Sequence, residues 1–168
     1  GEGYTEKLLS LFGSSIIGYW PGNEPAGSVA YDLSGHNYHG AYTGVTLGQP
    51  GAGDGLTCPL YDGALDIMQP PAGFRAAFTP LEFSISLWLK MRNSGVWTDG
   101  LSRVFLRFMV DANNLVDIRK INPSTIDFRY IAGGIIDTVA IAGQSSADWM
   151  HVGVTVSDSD DEAKFYLM

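Results

Sequence analysis

The sequence predicts an all-β fold, an antiparallel sandwich or jelly roll with one short helix near its N-terminal end. The chain holds 21 Gly and 8 Pro in 168 residues, so turns are frequent. Its second half repeats segments of alternating apolar and polar residues at a spacing of about 8 to 12 residues, which is typical of sandwich strands. With 45% hydrophobic and 17% charged residues, the chain is expected to form one domain with its own core.

The helix is predicted at residues 5–13, TEKLLSLFG, with Thr5 as the N-cap and Gly13 as the terminating residue. We expect a helical segment over residues 1–15 that covers part of a sheet or a sheet edge, and the β domain over residues 16–168. Four apolar side chains of the helix share one face, namely Leu8, Leu9, Leu11 and Phe12.

The strands are predicted from short apolar groups and from period-two alternation. SIIGYWP, residues 15–21, predicts a first strand, and residues 22–63 predict loops with short strands at AYTGVTL and CPLYDG. In EFSISLWLKM, residues 82–91, apolar residues alternate with Ser84, Ser86, Trp88 and Lys90. The same alternation predicts strands in RVFLRFMVD, LVDIRKI, TIDFRYI, IIDTVAIA, WMHVGVTV and AKFYLM.

Charge and composition exclude several classes of function. The formal net charge is -8 and only ten Lys and Arg are spread along the chain, so neither nucleic acid nor an anionic membrane surface is an expected partner. The longest apolar runs are too short for a membrane span, so membrane insertion is not expected. Cys58 is the only cysteine, which excludes an intrachain disulfide and a thiolate zinc site.

Five motifs in order resemble a known family. They are IIGYWPGNEPAGSVAYDLSGHNYHG, CPLYDGALD, FSISLWLKM, WMHVGVTV and AKFYLM. Together they are similar to the laminin G-like, concanavalin A-like jelly-roll domains of phage and bacterial surface proteins, over residues 16–168. Two positions depart from the family pattern, Gly22 in the Trp-Pro corner and Ile67 after Asp66.

The resemblance also implies further strands after Met168, because the family continues through an Asn-Gly hairpin. The final strands of the jelly roll are therefore expected to be missing from this sequence. Either the sequence is an incomplete fragment, or another chain supplies the missing strands to the exposed sheet edge.

The resemblance places three carboxylates, those of Asp32, Asp62 and Asp66, in loops near one end of the sandwich. Carboxylate oxygens suit calcium, so these are the candidate metal ligands, although no cofactor is required. The alternative is that Asp32 and Asp62 each hydrogen-bond their own turn. Zinc or nickel at His36 and His39 would need a third ligand, and SDSDDE, residues 157–162, lacks EF-hand spacing and predicts a solvated hairpin loop.

Two tryptophans are the candidate ligand-binding residues. Trp97 lies in the polar segment NSGVWTDGLS, where exposure is expected, and Trp88 lies on the polar face of its strand. Aromatic side chains at such positions stack on sugar rings or form protein contacts. The alternative for both is that they cover the second layer of the sandwich.

No catalytic motif accompanies the predicted strands. The five Glu are isolated in sequence, and the strand acids sit singly among apolar residues, whereas glycoside hydrolysis needs a carboxylate pair. We therefore expect a non-catalytic module on a virion or a cell surface, with a polysaccharide-degrading enzyme as the alternative. Its expected partners are a glycan or other protein subunits, in a homo-oligomer or a larger assembly.

Overall fold

The computed structural model describes residues 3–168, apart from the side chain of Tyr4. The chain forms two compact units, a first unit that ends at Phe78 and a second unit from Thr79 to Met168. The sequence predicted one β domain over residues 16–168 after a helical segment, so the observed division lies inside the predicted domain.

The first unit contains short elements joined by long loops. β1, β2 and β5 form an antiparallel sheet in the order β1-β2-β5, and β3 pairs with β4 as a hairpin. The bounds are α1 Tyr4–Phe12, β1 Val29–Ala30, β2 Gly40–Thr43, β3 Thr46–Pro50, β4 Thr57–Leu60, β5 Ile67–Gln69 and α2 Ala72–Ala77.

Helix α1 confirms the predicted helix and its end at Gly13, which adopts a φ of +36°. The predicted N-cap is wrong. The N-cap is Gly3, whose N–H donates to the carboxylate of Glu6 (3.0 Å), whereas the Thr5 hydroxyl bonds the hydroxyl of Tyr19 (2.8 Å). The predicted apolar face is only partly covered, with half-buried Leu8 and Leu9 and exposed Leu11 and Phe12.

Residues 15–21 do not form the predicted first strand. Tyr19 shows the reason, because its N–H donates to Asp32 Oδ1 and its carbonyl accepts from the N–H of Leu33, both at 2.8 Å. The loop at Asp32 therefore uses the backbone groups of Tyr19 that a neighbouring strand would need. The short strands predicted at AYTGVTL and CPLYDG are confirmed as β2 to β4.

The second unit consists of two antiparallel sheets, in the orders β10-β9-β8-β7 and β12-β11-β6. The alternating segments of the sequence correctly predicted these strands, and residues 158–161 form the exposed turn of the β11–β12 hairpin, as predicted. The bounds are β6 Glu82–Lys90, β7 Arg103–Asp111, β8 Asn114–Ile121, β9 Thr125–Ala132, β10 Ile135–Ile141, β11 Trp149–Ser157 and β12 Glu162–Leu167. The fold class is therefore confirmed as mostly β, with one short helix near the N-terminal end.

The apolar faces of these two sheets meet in the second unit. Ile118 and Phe128 of the four-stranded sheet are fully buried, as are Val152 and Val154 of the three-stranded sheet. Phe83 and Phe128 pack edge to face across the layer, with ring centroids 6.5 Å apart. Burial of each such side chain stabilises the fold by roughly 1.5–3 kcal/mol. The buried residues are those that the alternation of these strands predicted for the apolar face.

Two bulges change the alternation of β7. Its register with β8 shifts between Val104 and Leu106 and again between Met109 and Asp111. Simple alternation places Val104 and Val110 on the apolar face, yet both are exposed, Val110 at 79%. A bulge adds a residue to one strand and re-aims the side chains around it, which periodicity in one sequence does not reveal.

Replacement of a buried and of an exposed isoleucine tests this core. We expect Ile118→Ala to lower the free energy of unfolding by about 2–5 kcal/mol, because Ile118 is 0% exposed. Ile135→Ala, at a position that is 78% exposed, is the matched control and should change it by less than about 0.5 kcal/mol. Urea denaturation measures both, and equal effects would contradict the assigned core.

Candidate functional site

The candidate site is the outer face of the three-stranded sheet β12-β11-β6. β6 and β11 pair along their full length, with Trp88 opposite His151. Because successive side chains of a strand point to opposite faces, Val152 and Val154 face the core and their neighbours face outward. Trp88 consequently keeps 48% of its surface exposed on the outer face.

Trp88 and His151 form the centre of this face. Their ring centroids are 5.1 Å apart with the planes tilted by 46°. His151 Nε2 is 2.8 Å from the hydroxyl oxygen of Ser86, so the imidazole is oriented by a hydrogen bond from the neighbouring strand. An aromatic ring, an imidazole and a hydroxyl group thus lie side by side on one face of the sheet.

Tyr166 adds a second aromatic ring in the next row. It pairs with Gly153 and is 45% exposed. A Cβ at Gly153 would lie 3.6 Å from Tyr166 Cδ2, so the edge of the ring lies over this glycine. Rows of one face are about 7 Å apart, which places Tyr166 within one or two sugar-ring widths of Trp88.

The charges of this face are separated along the strands. Lys90 is exposed one row beyond Trp88, whereas Glu82 and Glu162 lie in the row of Ser157, about 20 Å from the Trp88 row. Glu162 forms an ion pair of 2.6 Å with Lys164, and its carboxylate raises the pKa of Lys164 above its usual value. The groups around Trp88 can therefore stack on a ligand or hydrogen-bond to it, whereas the carboxylates lie at the opposite end of the strands.

The expected exposure of Trp97 is wrong. Its side chain is 0% exposed, and its indole N–H donates to the carbonyl of Ser146 at 2.7 Å. Ser124 also donates its N–H to the carbonyl of Trp97 at 3.1 Å. Trp97 thus anchors the loop between β6 and β7 in the second unit, and it offers no ring face to a sugar.

Asp32 is held within its own loop. Its Oδ1 accepts from the N–H groups of Tyr19 and Ser34, and its Oδ2 accepts from the Ser34 hydroxyl and the Tyr38 N–H, all between 2.8 and 2.9 Å. Burial by itself would raise the pKa of Asp32, but these hydrogen bonds outweigh it and lower the pKa below its usual value. Four protein donors occupy both oxygens, which is the turn-capping alternative that the sequence offered.

The two histidines of this loop contact different neighbours. His39 Nδ1 accepts the N–H of Asp32 at 3.0 Å, and the His39 ring packs edge to face on Tyr31. The ring of His36 stacks on Tyr38 with centroids 5.7 Å apart. Both imidazoles therefore support the loop through contacts with their own segment.

Asp62 and Asp66 are brought together by one short turn. The Asp62 N–H donates to Asp66 Oδ2 and the Ala64 N–H donates to Asp62 Oδ1, each at 2.7 Å. Gly44, at a φ of +77°, lets the Asp66 carboxylate approach, since a Cβ there would lie 2.3 Å from Asp66 Oδ1. Within residues 3–168 no three His, Cys, Asp or Glu side chains form a group that could hold a metal ion.

Sequence reasoning missed several residues that the fold makes important. Glu24 is buried and accepts from the Tyr42 hydroxyl (2.9 Å) and the Tyr31 N–H (2.8 Å). Burial, followed by the hydrogen bond to the Glu24 carboxylate, raises the pKa of Tyr42. On the candidate face, Tyr166 and Ser86 were not singled out. The strand register places both of them beside Gly153, in the row next to Trp88 and His151, and no signal in the sequence reveals that pairing.

A mutation of Asp32 tests the hydrogen-bonded loop. The pKa of Asp32 in the folded state is lowered below its unfolded value of about 3.9. The ionised carboxylate therefore stabilises the fold at pH values above the unfolded pKa. This stabilisation is lost as the pH falls through the folded-state pKa. We expect Asp32→Asn to lower stability at neutral pH by about 2 kcal/mol and to weaken the acid-induced loss of stability. Thermal unfolding from neutral to acidic pH measures both effects.

The control is Asp54→Asn, at an exposed aspartate of the same unit. It should leave the melting temperature at neutral pH nearly unchanged. An Asp32→Asn protein with the melting temperature and acid profile of the unmodified chain would contradict the assigned role.

Comparison with known proteins supports the fold. No protein-family model matches the chain, and no curated protein matches it. Among solved structures, the chain is similar to the crystal structure of residues 221–444 of an S-layer domain-containing protein from Clostridium thermocellum ATCC 27405. The TM-score is 0.57 and the sequence identity is 20%. The similarity covers 89% of this chain and 67% of that one. At this identity the likeness concerns the fold alone, and the chain shares the β-rich fold of that domain.

Proposed function

We propose that this chain is a non-catalytic binding module of a surface structure and that the outer face around Trp88 binds a glycan. The observation that carries the proposal is the exposed Trp88, which contacts His151 and has Ser86 and Tyr166 in the next row of the same sheet face. Removal of a large aromatic ring from water is favourable, and on an outward sheet face only a bound ligand or partner can cover the ring.

A sugar suits this arrangement chemically. The apolar face of a pyranose ring stacks on an indole or phenol ring, while its hydroxyl groups exchange hydrogen bonds with Ser86 and His151. Lys90 at the edge of the face adds a cationic donor. Because these groups lie on paired strands, little conformational entropy is lost when the ligand binds.

The setting we propose is a cell surface, within a homo-oligomer or a larger assembly. The fold shared with the S-layer domain-containing protein supports this setting. A virion is the other setting that the sequence resemblance implies.

We also propose the jelly-roll, laminin G-like topology, which the two packed antiparallel sheets of the second unit support. Among the described residues no helix is long and apolar enough to cross a membrane.

A polysaccharide-degrading enzyme is the alternative function, and one observation favours it. Glu82 and Glu162 flank Ser157 in one row, so their Cα atoms lie about 10 Å apart on the same face. An inverting glycosidase needs two carboxyl groups roughly 6.5–9.5 Å apart. The ion pair of Glu162 with Lys164 and the hydrogen bond that Ser159 donates to Glu82 point to structural roles instead. New reducing ends from a polysaccharide, lost in Glu162→Gln, would establish the enzyme.

Glycan binding is tested with Trp88→Ala on a glycan array, followed by calorimetry with each sugar that binds. Loss of stacking should weaken binding about tenfold, since an aromatic contact is worth about 0.5–1.5 kcal/mol beyond the area that it buries and about 1.4 kcal/mol is a factor of ten. Tyr31→Ala is the matched control, because Tyr31 is also an exposed aromatic residue packed on a histidine. Silence across a broad array, or equal loss in both variants, would overturn the proposal.

Calcium binding by the carboxylates of Asp62 and Asp66, together with Asp32, is a separate proposal. If calcium binds, added calcium should raise the melting temperature, a chelator should reverse the rise, and Asp66→Asn should abolish it. The same experiment on Asp54→Asn supplies the control. A melting temperature that does not respond to calcium in the unmodified chain would refute the site.

A further inference from the structure

The outer face of the four-stranded sheet carries a ladder of charged residues. Arg107, Asp117 and Arg129 lie in one row across β7, β8 and β9, and Arg119 and Asp127 form the next row. We call these five residues the arginine face. Their side chains point away from the apolar face that contains Phe128, because alternate residues of a strand face opposite sides.

Buried carboxylates hold the three guanidinium groups in place. Asp117, at 0% exposure, accepts from Nε and Nη2 of both Arg107 and Arg129, at 2.7 to 3.1 Å. Asp127, at 1% exposure, accepts from Nε and Nη2 of Arg119. Three cations share two anions, so the arginine face keeps one net positive charge in a chain of net charge -8.

The outer edges of these guanidinium groups are available to a further anion. The hydrogen bonds of Arg107, Arg119 and Arg129 to Asp117 and Asp127 use Nε and Nη2, and the three side chains remain 20 to 36% exposed. A guanidinium whose other edge is fixed by a carboxylate loses little side-chain entropy when it binds a second carboxylate.

Apolar side chains border the same face. Met109 and Ile136 lie in the row next to Arg107 and Arg129 and are 47% and 61% exposed. Apolar surface beside oriented cations is typical of a protein interface, in which Arg and Met are enriched.

The chain itself carries an acidic segment that fits this surface. The β11–β12 hairpin carries four exposed carboxylates, which we call the acidic tip: those of Asp158, Asp160 and Asp161 in the turn and that of Glu162 at the start of β12. The Asp158 side chain has no hydrogen bond or ion pair among the described residues. The acidic tip and the arginine face belong to different sheets of the second unit, so one copy can present both at once.

We propose that the arginine face docks the acidic tip of a second copy of this chain. Opposite charges select the contact, and Met109 and Ile136 contribute apolar burial. Because the two contacting surfaces differ, the contact is head-to-tail, and a dimer keeps one free arginine face and one free acidic tip for further copies. This inference is independent of glycan binding at Trp88, which lies on the other sheet.

Sedimentation velocity over a concentration series at low ionic strength tests the proposal. The average mass of the unmodified protein should rise with concentration and fall on addition of salt. Arg107→Gln and Asp158→Asn should each weaken association about tenfold. An equimolar mixture of these two variants should recover dimers, because each variant retains the surface that the other lacks.

Two further variants guard against misleading results. Thr138→Glu places a negative charge opposite Arg129 without removing a ladder residue, and it should weaken association even if Arg107→Gln folds poorly. Arg75→Gln, which removes an exposed cation of the first unit, should leave association unchanged. A monomer at every concentration, or association unaffected by Asp158→Asn and Thr138→Glu, would overturn the proposal. Arg107-dependent binding of hexagalacturonate by a monomeric chain would also overturn it and assign the face to an acidic glycan.

Discussion

The antiparallel pairing of β6 with β11 is the constraint on which the second unit depends. In one register, it turns Val152 and Val154 into the core and sets Trp88 beside His151 on the outer face. A slip of one residue would exchange the two faces, so the core and the candidate binding face cannot vary independently. The apolar core therefore stabilises the arrangement of the groups that we propose contact the ligand.

Buried carboxylates organise both units, but they do so with different partners. Asp32 in the first unit is held by backbone N–H groups and one hydroxyl of nearby segments, so its loop forms a local turn. Asp117 in the second unit is held by arginines from the two neighbouring strands and therefore ties three strands together. An unpaired buried carboxylate would cost several kcal/mol, which is why each oxygen has donors.

Sequence reasoning succeeded where the signal is local and failed where it depends on distant segments. Trp88 was correctly placed on the polar side of its strand because period-two alternation is a property of a few residues. Trp97 was expected in an exposed loop because its neighbours are polar, yet the carbonyl of Ser146, 49 residues away, receives its indole N–H. The strand expected at residues 15–21 failed for the same reason, since Asp32 takes the backbone N–H of Tyr19.

By itself the sequence determined the β-rich class, the strands of the second half, the helix that ends at Gly13 and the exposed hairpin turn at residues 158–161. These features follow from periodicity, turn residues and charge within short windows. Only the tertiary structure decided that Asp32 is a hydrogen-bonded anchor, that three arginines share two buried aspartates, and that Trp88, His151 and Tyr166 lie together. Each of these depends on which strands pair and in which register, and that choice is made by the packing of the whole core.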